Sequence, residues 1–82
     1  MALYKQGAID EKSAHLIALA ASAATKCQYC IPYHQAELRR LGASEDEIKT
    51  AILLAGDVMR MSTLFYGNEY DLEAFKAMLR GE

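Results

Sequence analysis

The chain has no tryptophan, a single proline and only two cysteines in 82 residues. Two cysteines so close together are too few for a secreted disulfide scaffold, because the loop they close is tiny. The longest apolar run, Leu16 to Ala24, falls well short of the ~20 residues that a bilayer span takes. Neither sign of charge dominates. Nine basic and eleven acidic side chains leave a net charge of −2, which argues against nucleic acid or an anionic membrane as partner. The opening MALYKQGAIDEK has neither a basic start nor a cleavage site, so a cytoplasmic location is expected. Sustained alternation of apolar and polar residues, internal repeats and low-complexity linkers are also missing, which excludes a strand-built or repeat architecture.

Apolar residues, by contrast, are plentiful at 52%. Residues 1–82 make one domain, and a chain of this size buries only about 60–65% of its unfolded surface. That much apolar surface has a natural outlet in self-association.

The spacing predicts an all-α fold. Residues 1–9 form a short arm carrying Leu3, Tyr4 and Ile9. Asp10 or Ser13 can cap a first helix that runs to about Thr25, where LIALAASAA supplies strong helix formers whose small side chains suit a central, closely packed helix. Thr25 and Gln28 have the form of a capping box for a second helix ending at Gly42. Pro32 fits only the first turn of a helix, so that start lies either at Thr25 with distorted turns or nearer Tyr29. Ser44 and Glu47 form a cleaner box, followed by Ile48, Ala51, Ile52, Ala55, Val58 and Met59 at the 3.6-residue period. Gly56 interrupts this run or permits a close crossing, and the apolar segment MRMSTLFYG follows. Asn68 is placed to cap a last helix with Leu72, Phe75, Met78 and Leu79 as its stripe.

Cys27, Cys30 and His34 stand together in KCQYCIPYH. On a helix such spacings fall on one face, so two sulfurs and an imidazole can converge. Only a thiolate attacks peroxides or disulfides, and a helix N-terminus favours the thiolate. His34, one turn after Cys30, can take its proton or, as imidazolium, hold its thiolate. CxxC spacing at a helix start also lies within disulfide range. The same three residues could instead hold zinc, given a fourth ligand from Asp, Glu or a partner chain; two small buried hydrophobes are the plainest alternative. The reading adopted is dithiol redox chemistry with no metal and no cofactor. His15, taken alone, reads as a structural histidine. Tyr29 and Tyr33 read as rim or packing residues, Arg39, Arg40 and Glu45 to Glu47 as solvated helix surface. The methionines with Phe65, Tyr66 and Phe75 read as core or subunit contacts.

From Ser13 to about Val58, the stretches HLIALAASAATKCQYCIPYH and AELRRLGASEDEIKTAILLA resemble the carboxymuconolactone decarboxylase-like superfamily, in particular its alkylhydroperoxidase D (AhpD-like) branch. The resemblance implies an all-helical homo-oligomer, a trimer or hexamer, that reduces a small peroxide or disulfide through its cysteine pair. A lipoyl domain, a peroxiredoxin or another thiol protein is the partner it suggests. It makes Cys30 the second motif cysteine, Cys27 its mate and His34 the histidine of a proton relay. The family's relay glutamate, twelve residues before the first cysteine, is here His15. An imidazole there can pass a proton but supplies no fixed negative charge. Lactone decarboxylation is not implied, because those relatives lack the cysteine pair. A zinc-binding protein and an oligomeric scaffold with a degenerate site are the alternative functions.

Overall fold

The computed structural model describes residues 4, 5 and 7–82; Leu3 of the expected N-terminal arm lies outside them. Among the described residues there are four helices longer than a turn, α1 (Glu11–Thr25), α2 (Cys30–Arg40), α3 (Glu45–Gly67) and α4 (Leu72–Leu79), and no strand.

Asp10 caps α1, its carboxylate accepting from the Ser13 N–H at 3.0 Å. The alanine-rich sequence carries α1 through Thr25, whose hydroxyl donates back to the Ala21 carbonyl at 2.9 Å. Thr25 therefore ends one helix rather than capping the next, and the expected Thr25–Gln28 box does not form. The chain leaves α1 through Lys26 in the left-handed region (φ 58°), with the Cys27 N–H donating to the Ser22 carbonyl at 3.0 Å. α2 then starts late, at Cys30, with Tyr29 before it and no side-chain cap. Pro32 falls in the first turn, where its missing N–H had no partner to lose. Cys27 is thus in the turn rather than on the helix. Gly42 takes the φ of 81° needed to close α2, as its position predicts.

The Ser44–Glu47 capping box forms in full, with reciprocal bonds of 3.0 and 2.9 Å. Gly56 does not interrupt the helix it opens, so α3 is one 23-residue rod of about 34 Å. Asn68 closes α3 instead of opening α4; Asp71 caps α4 by accepting from the Ala74 N–H at 2.9 Å.

α1 is central, packing against both α2 and α3. Arg40 at the end of α2 reaches Glu11 at the start of α1 (3.3 Å), so these two helices run antiparallel. Lys12 pairs with Glu47 at 2.9 Å, while Ala23, Ala24 and Lys26 share a hollow with Ala55, Gly56 and Met59. α1 and α3 therefore run side by side from a common end, and α3 outlasts α1 at the end where Cys27 lies. Leu19, Leu38 and Ile48 form the buried core, with Leu16, Ile31 and Ala43 against it. Of the apolar positions predicted along α3, Ile48 and Ala51 are buried, but Ile52, Val58 and Met59 are exposed. α4 folds onto the end of α3 through Phe65, Tyr70 and Phe75, whose ring centroids lie 5.3 to 6.2 Å apart.

Candidate functional site

Schellman-type closure of α1 delivers Cys27 beside the first turn of α2. Its Cα is 5.3 Å from that of Cys30, and the two sulfurs are joined in a disulfide. The Cys30 N–H points at Cys27 Sγ from 3.2 Å. This amide belongs to the start of α2, so on reduction it faces the Cys27 sulfur and favours its thiolate. Both cysteines are half-buried, and Lys26, Gln28, Tyr29 and Pro32 around them are exposed.

One turn along α2 from Cys30, His34 points into the interior rather than to solvent. It is 6% exposed, and His15 on α1 is 2% exposed. Their Nδ1 atoms face each other at 2.9 Å across the antiparallel helix pair. Two imidazole nitrogens at that distance share one proton, so one ring donates and the other accepts. The donor ring then carries a bare Nε2, free to take a proton from elsewhere. Burial lowers the pKa of His34 below its ordinary value, the charge of His15 lowers it further, and the Glu37 carboxylate opposes them in part. His34 is therefore a neutral imidazole near pH 7, suited to accepting a proton from a thiol.

The site includes residues that spacing alone did not single out. Tyr4 stacks on His15 with centroids 4.3 Å apart and planes within 10°. Tyr33, read as a rim or packing residue, does pack: it meets His34 edge-on at 4.9 Å and His15 at 6.1 Å. Glu37 is one turn beyond His34 and feels both imidazoles; Arg40, at 2.6 Å, holds its carboxylate below the usual range. The i,i+3 spacing from His34 could have indicated Glu37. Nothing in the sequence signals that Tyr4 returns to α1. Among the described residues no group of three or more His, Cys, Asp or Glu side chains is arranged to hold a metal ion. Nor is any helix of the described residues long and apolar enough to cross a membrane.

A helical domain with a CxxC disulfide at a helix start and a buried histidine behind it defines a class, and comparison with known proteins agrees. Residues 1–65 match the profile of the carboxymuconolactone decarboxylase family, and the chain belongs to that family. It is 31% identical over 67 residues to a protein of Paracoccus denitrificans described as "Uncharacterized protein 4 in cox locus". The matched region is 82% of this chain but only 60% of that protein's length. No solved structure matches the chain.

Proposed function

We propose that the chain is a thiol-dependent oxidoreductase that reduces a small peroxide or disulfide through a Cys27/Cys30 dithiol–disulfide cycle. The observation that carries this reading is the disulfide one helical turn from a buried, neutral His34 backed by His15. An external dithiol reduces the disulfide, supplying two electrons and two protons. His34 takes the Cys30 proton, and the thiolate attacks one peroxide oxygen. The O–O bond breaks, the leaving alkoxide collects a proton, and Cys30 is left as a sulfenic acid. Cys27, its thiolate favoured by the Cys30 amide, displaces water from that sulfur and the disulfide returns. The proton on His34 can pass across the Nδ1 contact to His15, which fills the role of the family's glutamate without its fixed charge. The oxidoreductase works as a homo-oligomer in the cytoplasm, a trimer or hexamer, with a lipoyl or thiol protein as its reductant.

The test is peroxide consumption supported by a dithiol. Wild type should exceed Cys30→Ser. His34→Ala should be slower by ~10²-fold, the lower end of the 10²–10⁴ typical of general base help, because thiols ionise partly unaided. Wild type no faster than Cys30→Ser, with several peroxides and dithiols tried, would instead support a scaffold with a degenerate site. That second reading draws on His15 standing where the relay glutamate is expected.

A further inference from the structure

The geometry points to Tyr4 as a positioning residue for the histidine pair: stacked on His15, it fixes the ring plane that presents Nδ1 to His34 and keeps water off that contact. This deepens the thiol reading above and depends on it only where turnover is measured.

The contact between the two Nδ1 atoms makes an exacting demand on both rings. A shared proton needs the acceptor's lone pair, which lies in the plane of its imidazole, aimed at the donor N–H, and such bonds weaken steeply as the angle closes. The torsion that turns a histidine ring about its Cβ–Cγ bond is broad, so one hydrogen bond at 2.9 Å does not hold the plane by itself. A second contact must. His34 has Tyr33, its neighbour on α2, edge-on at 4.9 Å. Tyr33 meets His15 only at 6.1 Å, and there the part falls to Tyr4, which lies face to face with His15, centroids 4.3 Å apart and planes within 10°. Tyr4 also reaches His34, at 5.6 Å and a tilt of 49°, so one ring spans both members of the pair.

The arm that carries Tyr4 is otherwise in water. Lys5 and residues 7–10 are exposed, whereas Tyr4 is half-buried and the two imidazoles beneath it are almost wholly so. Nor is an ion placed to do the same work. Glu37 of α2, which acts on both imidazoles, is engaged by Arg40, and Arg40 by Glu11 of α1 as well. The plane of His15 is left to the aromatic contact.

Tyr4→Phe, which keeps the ring, and Tyr4→Leu, which keeps apolar bulk without a flat face, test this in the full chain. In oxidised protein the shared proton gives an imidazole N–H resonance by nuclear magnetic resonance, whose exchange with water is measured without turnover. Exchange should match wild type in Tyr4→Phe and be about 2–10-fold faster in Tyr4→Leu, the factor that one stacked pair corresponds to. Peroxide turnover with a dithiol should fall by a similar factor in Tyr4→Leu alone. Its acid limb should also move to higher pH, because water reaching His34 relieves the burial that holds its pKa low. A merely structural tyrosine would leave that limb in place. Unchanged exchange or an unmoved limb in Tyr4→Leu overturns the proposal, and so does Tyr4→Phe behaving like Tyr4→Leu. Wild-type turnover no faster than Cys30→Ser defeats the thiol reading and leaves the exchange rates to decide Tyr4. If Tyr4→Leu fails to fold, nuclear Overhauser contacts between the Tyr4 and His15 rings of the wild type decide: their presence supports the stacking and their absence overturns it.

Discussion

His15 and His34 are each other's hydrogen-bond partner, and that makes their contributions to stability interdependent. Replacing either one by leucine keeps an apolar filler but strands the other's Nδ1 in the interior. An orphaned buried polar group costs about 1–3 kcal/mol. Replacing both removes donor and acceptor together, a change that can be nearly neutral. The double variant His15→Leu/His34→Leu should therefore be more stable than the sum of the single losses predicts, with a coupling of about 0.5–3 kcal/mol. In a domain of this size each kcal/mol moves Tm by about 4–8 °C, so the effect is well within reach of thermal or denaturant unfolding. The oxidised protein should be used at one fixed concentration for all four forms, because assembly also contributes to stability. Additive losses, within the ~0.5 kcal/mol expected of independent sites, would refute the shared-proton contact.

Acid should weaken the fold through His34. Its pKa lies below 6.5 in the folded chain, so between the two values the unfolded chain binds more protons, and stability falls as the pH drops through 6.5; denaturant titrations across that window should show the loss, and His34→Leu should lack it. Leu38→Ala should cost about 2–5 kcal/mol, since Leu38 is fully buried, with unfolding measured at fixed concentration. Lys26→Gly should stabilise by up to about 1 kcal/mol in the same assay, because Lys26 holds a left-handed conformation that glycine adopts freely. Elemental analysis of oxidised protein purified without chelator should find no stoichiometric metal; one zinc per chain would favour the zinc-binding alternative.

The helical class, the Ser44 cap, the Gly42 closure and the CxxC–histidine constellation were all legible in the sequence, since each depends on residues within one or two turns. The misplaced boundaries have local causes. Thr25 and Asn68 are side chains able to serve either end of a helix, and in both cases the preceding helix kept them. Apolar period along α3 correctly announced one helix but not which stretch would find a partner within the chain. Ile48 and Ala51 meet α1, while Val58 and Met59 stay exposed as the helix reaches α1's end. The histidine pair was legible only in part. His15 alone reads as structural, and its nearness to His34 is set by the crossing of two helices, as is the stacking of Tyr4.

Each histidine of the pair is followed four residues later by a core leucine, His15 by Leu19 and His34 by Leu38, and both leucines are completely buried. The histidine pair and the core leucines are consecutive layers of a single column of side chains between α1 and α2. Such a column leaves little room to tune reactivity and robustness independently. A substitution that loosens the leucine layer shifts the helix pair that sets the nitrogen separation, and one that alters the imidazoles reaches the leucines. Change at the site would then be easiest at the exposed rim, at Lys26, Gln28 and Tyr29, where side chains can vary without disturbing the layers beneath.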